Sequence, residues 1–444
     1  MSPSRWSLPA RVRRNVGFKV AGTVVEKGLR ALVVFTAARM LGPQAWGRYT
    51  YAFTLAMLLV QITDLGLGLF LNREIARKGS ADGALIGEVL TLKAALAGVY
   101  AATIAMLALW HIRGDSADMT VVFAILICGG VALLSSAIES IVHVFRGVQD
   151  LSLEARVHSV HAAFAVVSGG LVLGTALWAW GWVPSATQRD QLVLLYAGSM
   201  VVSTLLGSVY AYRILRRLTS VTWRFNPELV TRFRREVLPL GIAIVASMIY
   251  YRIDVPMIRN LLPAATADAQ TGLYTAAYKL LEHTALFPAI LMAAAFPALS
   301  ETVVQSPRRA AELHQTTLRW LGAGGLAVCA AFALGSQPIV AVLYGDDFAD
   351  SAPILVALAP CVLLTFVNYL ETHMLVALGL VRAQMLISVS LIAVNIGLNW
   401  WFIPLWQGAG AAWATAATEV CLFIAVAPLV RRGLRARIAE EDAK

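Results

Sequence analysis

Charged side chains stand inside otherwise apolar stretches of this sequence, among them Lys19, Lys27, Arg30, Arg39, Lys93, Arg252, Arg259 and Lys279, with Glu26, Asp64, Glu139, Asp254, Glu282, Glu371 and Glu419. A charge at a bilayer centre costs ~2.5–3.5 kcal/mol even on the lenient insertion scale, so such groups must face one another or a wet cavity. Spacing sorts them into faces. Glu26 and Arg30 are four apart, Lys27 and Arg30 three, and Lys19 precedes Glu26 by seven; Lys279, Glu282 and His283, and likewise Glu139, His143 and Arg146, share helical faces. Arg252 and Arg259 are seven apart, and Asp254 stands about 160° round the helix from Arg252. The deepest bases, Lys27, Arg30, Arg252 and Lys279, form a candidate cationic lining that binds an anionic ligand. Glu26, Asp64, Asp254 and Glu282 are candidate ion-coupling carboxylates, able to neutralise those bases and to take up a proton or a sodium ion.

Other readings hold for the remaining charges. Arg39, Arg259, Lys19 and Lys93 lie near the ends of apolar stretches, where long side chains snorkel to the headgroups. Glu139, His143 and Arg146 are accounted for equally well by pairing along one helix near the inner surface. Glu371 and Glu419 read as single buried carboxyls held by hydrogen bonds, and His158 with His161 as packing histidines.

The elements that carry these residues are twelve apolar stretches, near 17–41, 49–71, 85–110, 119–145, 157–182, 191–212, 237–259, 272–299, 320–336, 352–378, 384–405 and 409–430. Each is long enough to span ~30 Å of hydrocarbon as a helix. Of the Lys and Arg in the connections, 25 fall on one alternating set, and Arg48, Arg113 and Arg189 alone fall on the other. This is the positive-inside pattern, and it predicts that both termini are cytoplasmic. Nine of the twelve Trp (Trp46, Trp110, Trp178, Trp180, Trp182, Trp400, Trp401, Trp406 and Trp413) fall near the predicted outer ends, as an aromatic belt requires. The first stretch lacks a signal-peptide pattern and is expected to stay as an uncleaved anchor.

With 59% hydrophobic residues in 444 and a mean hydropathy of +0.70, little is left from which to build a soluble domain. The net charge of +10 is absorbed by the inner loops, which points to anionic inner-leaflet lipid rather than nucleic acid. Cys128, Cys329, Cys361 and Cys421 lie within spans as packing residues. No Gly-Lys dipeptide, Gly-x-Ser-x-Gly or His-Glu-x-x-His occurs, so P-loop and common hydrolase chemistry are excluded, and no cofactor or metal is expected. The segment from Tyr344 to Pro353 lacks calcium-ligand spacing and reads as a helix-start turn.

The charged segment near the middle divides the spans six and six. Residues 1–212 are expected to form an N-terminal six-helix bundle, 213–236 a cytoplasmic linker with an interfacial helix begun at Pro227, and 237–444 a C-terminal six-helix bundle. An even number of spans per half makes the repeat parallel. Gly47-Arg48-Tyr49-Thr50 is echoed by Gly272-Leu273-Tyr274-Thr275, and Glu139 with Gly147 and Asp150 by Glu371 with Gly379 and Arg382.

Ala38-Arg39-Met40-Leu41-Gly42-Pro43 through Tyr49, Asp64-Leu65-Gly66-Leu67-Gly68 with Arg73-Glu74-Ile75-Ala76, Tyr251-Arg252-Ile253-Asp254, Gly272 to Tyr278, Phe296-Pro297-Ala298-Leu299, Tyr344 to Pro353 and Leu378 to Asn399 together resemble the polysaccharide or O-antigen flippases of the multidrug/oligosaccharidyl-lipid/polysaccharide (MOP) exporter superfamily. The resemblance implies an all-α polytopic membrane protein of twelve helices in two six-helix bundles around a V-shaped cavity, lined by the first two helices of each half. It implies transport of undecaprenyl-diphosphate-linked oligosaccharide, an O-antigen or exopolysaccharide repeat unit, across a bacterial inner membrane, alongside polysaccharide polymerase partners. It carries over an arginine–aspartate pair, Arg252 and Asp254. A multidrug or other lipid-linked substrate exporter of the same superfamily is an alternative, and a polytopic glycosyl polymerase or ligase, which needs large outer loops, is another.

Overall fold

The computed structural model describes residues 10–113 and 118–443, which form helices joined by short turns, with no strand among them. In chain order the helices are α1 (Ala10–Leu59), α2 (Leu67–Lys78), α3 (Gly83–Arg113), α4 (Met119–Gly147), α5 (Leu151–Trp180), α6 (Ala186–Leu218), α7 (Pro227–Arg232), α8 (Leu238–Arg252), α9 (Asp254–Leu261), α10 (Ala264–Thr284), α11 (Leu286–Gln305), α12 (Pro307–Tyr344), α13 (Ser351–Ala377) and α14 (Val381–Asp442). Seven of them, α3 to α6 and α12 to α14, have by themselves the length and apolar character to cross a bilayer.

Two helices are too long for one crossing, and each folds back at a single residue. In α1 that residue is Gly42, with φ 68°, followed by Pro43. Glycine enters the left-handed region without a Cβ clash, and proline has no N–H to continue the ladder. In α14 it is Gln407, φ 53°, where the Gly408 N–H is recovered by Gln270 Oε1 at 3.1 Å. Counting the arms of α1 and α14 separately, with α2 continuing the second arm of α1, and joining α8 to α9 and α10 to α11, gives twelve long helical segments among the described residues. The chain is a multi-pass, all-α membrane protein of two six-helix bundles, as the hydropathy pattern predicts.

Asp64 interrupts the second span. Its carboxylate accepts from the Gly66 and Gly68 N–H groups at 3.2 and 3.1 Å, and α2 leaves at 46° to the preceding arm. The same carboxylate is 2.5 Å from Lys93 Nζ. The snorkelling expected of Lys93 is therefore corrected: it is buried because a counter-charge lies within the bundle. The linker helix is corrected as well. Leu229, Phe233 and Val237 join the buried cluster of Phe70, Leu71 and Ile75, and Arg232 pairs with Glu74 at 3.0 Å, so its apolar side is covered by protein rather than lipid.

The two halves meet on a pseudo-axis. A Cβ on Gly47 would strike the Asp268 carbonyl and the Gly272 nitrogen, and one on Gly272 would strike the Pro43 carbonyl. One turn on, Thr50 Oγ1 and Thr275 Oγ1 are 3.1 Å apart. Gly47 with Gly272 and Thr50 with Thr275 are the pairs that the sequence repeat equates, and equivalent residues can touch each other only where the repeat axis passes. Around this contact Arg48 reaches Asp118, Asp190 and Asp268 at 2.9, 2.6 and 3.0 Å, Arg259 reaches Asp268 at 2.7 Å, and Arg189 reaches Asp347 at 2.7 Å. Because the opposing atoms are backbone, Gly272→Ala forces the helices apart. It is expected to lower stability by about 1–3 kcal/mol, read as a fall in Tm of the purified protein; an unchanged Tm would contradict backbone contact at this point.

Candidate functional site

Below the Gly47–Gly272 contact lies a cleft between the halves, with Thr50, Phe53, Arg252, Thr275, Lys279 and Glu282 among its lining residues. Pro256 places the cationic side of it. It has no N–H to give the Arg252 carbonyl, so the span breaks between α8 and α9. Arg252 ends one piece and Asp254 begins the next, and the two side chains take different directions.

Arg252 Nη2 is 3.5 Å from Glu282 Oε1, and Lys279 Nζ is 2.5 Å from Glu282 Oε2. One carboxylate thus serves two bases, leaving one positive charge in excess in a half-buried site. A phosphate oxygen can take the place of Glu282 on either base, and Arg252 can do so in bidentate fashion. Arg30 stands across the cleft and shares a cavity of about 220 Å³ with Lys279. Lys27, on the same α1 face, is exposed. The Glu26 side chain lies outside the described residues.

The carried-over pairing of Arg252 with Asp254 is corrected. Asp254 is buried, 3% exposed, and turned into the second bundle. Its carboxylate accepts from Tyr274 O–H at 2.6 Å, Asn399 Nδ2 at 2.6 Å and Thr415 Oγ1 at 3.0 Å. Asn399 in turn donates to Asn395 Oδ1 at 3.0 Å, and its own Oδ1 is buried without a hydrogen-bond partner among the described residues. Every donor to Asp254 is neutral. A carboxylate so held can accept a proton, or its oxygens with those of Thr415 and Asn399 can receive a small hard cation. Charge counting missed Asn395, Asn399 and Thr415 because they are uncharged. Their signal is the i, i+4 repetition of Asn in an apolar helix, each amide needing a buried partner.

The other expected charges have structural partners. Asp64 caps the α2 break within the first bundle. Arg259 finds its partners within the protein: it pairs with Asp268 at 2.7 Å and covers the Tyr51 ring at 4.3 Å. Arg146 bonds Glu154 at 2.8 Å and reaches Glu139 at 3.9 Å. Glu419 accepts from Asn368 and Tyr250 at 2.7 and 3.2 Å, and Glu371 lies 3.1 Å from His314. Trp46 leaves the aromatic belt: it is 1% exposed inside the core.

The chain matches the model of the polysaccharide biosynthesis protein family over residues 12–303. A search of curated proteins gives no significant match. Among solved structures the fold is similar to a multidrug resistance MATE family transporter of the MOP superfamily in its inward-facing conformation, at 15% identity over 92% of this chain and 94% of that chain, with a TM-score of 0.74. It is similar to the lipid II flippase MurJ in the inward closed conformation at 12% identity, over 95% of this chain and 90% of that chain, TM-score 0.71. Against a MATE transporter in an outward-facing conformation the TM-score is 0.56, at 15% identity over 92% of this chain and 96% of that chain. The helices and their order are those of the fold seen in these structures, and by the match over more than half of its length the chain belongs to the polysaccharide biosynthesis protein family.

Proposed function

We propose that the protein flips undecaprenyl-diphosphate-linked oligosaccharide, an O-antigen or exopolysaccharide repeat unit, from the cytoplasmic to the outer leaflet of a bacterial inner membrane by alternating access. The observation that carries this reading is the sharing of Glu282 by Arg252 and Lys279 in a cleft between two bundles. A diphosphate needs bases in place of its hydration shell, and a cleft open sideways lets the polyprenyl tail stay in lipid. Residues 1–212 and 237–444 are the rocking bundles, with 213–236 the cytoplasmic linker between them. The charge split supports cytoplasmic termini; with that orientation the Gly47–Gly272 contact closes the outer end, and the cleft opens inward. The protein acts by transport and not as an enzyme. A multidrug exporter is disfavoured by the cationic balance of the cleft, which suits an anion.

Triple substitution of Arg30, Arg252 and Lys279 by Ala is expected to reduce surface polysaccharide at least tenfold while the protein stays in the membrane. Arg252→Lys is expected to rescue the single Arg252→Ala variant only in part, because an ammonium cannot bind phosphate bidentately. Normal polysaccharide from the triple variant would sink the cationic-cleft reading.

Alternating access requires the outer contact to part. With Thr50→Cys and Thr275→Cys together, oxidation is expected to form a disulfide across the axis, stop transport, and release it on reduction. Undiminished transport by cross-linked protein would overturn the mechanism.

Coupling is assigned to Asp254, which a proton or sodium ion neutralises in one half of the cycle. In proteoliposomes Asp254→Asn is expected to keep substrate binding and to lose the dependence of flipping on an imposed proton or sodium gradient. Unchanged gradient dependence in that variant would make Asp254 structural.

A further inference from the structure

The cavity of about 220 Å³ beside Arg30 and Lys279 is walled on the first bundle by aromatic rings. Tyr49 and Phe53 stack with centroids 6.0 Å apart at 23°, Trp46 leans on Tyr49 at 5.4 Å, and Tyr196 meets Tyr49 edge-on at 5.2 Å. The repeat-equivalent pair across the axis, Tyr274 and Tyr278, stacks in the same way, 5.6 Å at 24°. The two shelves share a skeleton and differ in what their polar atoms do. On the second bundle Tyr274 donates to Asp254 and Tyr278 to the Tyr251 carbonyl. On the first, the Trp46 indole N–H is buried in the wall of the cavity and has no hydrogen-bond partner among the described residues. An indole N–H has no acceptor capacity and normally finds a partner when buried, so one left without a partner in a residue that lines a cavity marks a place for an external acceptor.

We propose that this shelf is a sugar-binding subsite, which takes the glycan residue adjoining the diphosphate. The inference rests on the lipid-diphosphate reading above and adds the part of the substrate that reading leaves unplaced. A pyranose ring presents a face of C–H bonds, which carry partial positive charge, and an edge of hydroxyl oxygens. The aromatic face of Phe53, half-buried at the cavity side, complements the first through its negative quadrupole. The Trp46 N–H complements the second by donating to a hydroxyl or N-acetyl oxygen. An isoprenoid chain uses neither the donor nor the neighbouring bases, whereas a sugar bonded to a diphosphate uses all of them. Arg30 and Lys279, on opposite sides of the same cavity, set the distance between phosphate and ring.

The test is the affinity of the full chain in nanodiscs for two probes, undecaprenyl diphosphate and undecaprenyl-diphosphate-linked N-acetylglucosamine. Native protein is expected to prefer the sugar-bearing lipid roughly tenfold, the discrimination that one buried hydrogen bond and a ring contact supply. Trp46→Phe removes the N–H and keeps the ring; Phe53→Leu keeps apolar bulk and removes the aromatic face. Each is expected to bring the ratio of the two affinities towards one while sugar-free lipid binds as before, which also reports that the variant is folded. Arg252→Ala is expected to weaken both lipids alike. A native ratio near one, or a preference that survives both shelf substitutions, overturns the shelf while leaving the diphosphate reading intact. Failure of native protein to bind either lipid overturns the diphosphate reading and the shelf with it.

Discussion

The structure depends on a contact between two backbones. Where α1 passes α10, glycine faces glycine on the repeat axis, and no side chain keeps the helices apart. Everything below is placed by its distance from that point along two helices of known rise. Thr50 and Thr275 lie one turn down, Phe53 and Tyr278 two, and Glu282 three, about 15 Å from Gly272 at 1.5 Å per residue. Because the axis relates the two helices, each residue faces the region of its counterpart, and a sequence repeat becomes a two-sided wall. The salt bridges around Arg48 join loops and helices from both bundles at the same end, where partial solvent access makes each one weak. Close backbone packing sets the geometry, and the ion pairs hold the edges.

A half-empty cleft in an apolar bundle also has to keep its bases charged. Arg252 and Lys279 manage this with one carboxylate between them. Two bases with two carboxylates would form closed pairs, and an incoming anion would have to displace a full counter-charge. With a single shared carboxylate the site is already short of negative charge, and an anion completes it. Glu282 therefore allows the bases to stand in the cleft when it is empty without filling the place of the ligand.

The sequence carries the fold plainly, because length, hydropathy and loop charge are additive and local. The fold-back points are readable too: Gly42-Pro43 announces one, and the short gap around Gln407 the other. Which charges share a face is legible from helical spacing, and Lys279 with Glu282 is such a case. Arg252 and Asp254 are two residues apart in sequence but about 160° apart round the helix, and Ile253 between them stays helical, so nearness in sequence misleads where helical spacing does not. Lys93, Arg259 and Trp46 mislead for the opposite reason, since each lies near a predicted span end and finds its partners or its packing inside the protein. The Asn395–Asn399–Thr415 set is neutral and escapes any count of charges, although its burial is as demanding of partners as that of a carboxylate.

The two bundles began from one pattern and have been filled differently. Behind the Tyr274–Tyr278 shelf stand Asp254, Asn399 and Thr415, all uncharged except the one carboxylate, and all tied to one another. Behind the Tyr49–Phe53 shelf stand Trp46 and Tyr196, the Trp46 N–H without a partner among the described residues. A transporter that drives a large anion with a small cation needs sites for both whose occupancy is linked through one moving contact, and they cannot overlap. On the proposed reading the two sites are divided between the bundles, the Asp254 set in the second and the aromatic shelf in the first, and both lean on the same axis. Tyr274 and Tyr278 connect them physically: one hydroxyl is bonded to Asp254, while the half-buried ring of Tyr278 stands at the cleft, next in sequence to Lys279 and one turn from Glu282. The Asp254 carboxylate and the cation site are thus joined by two stacked rings on one helix.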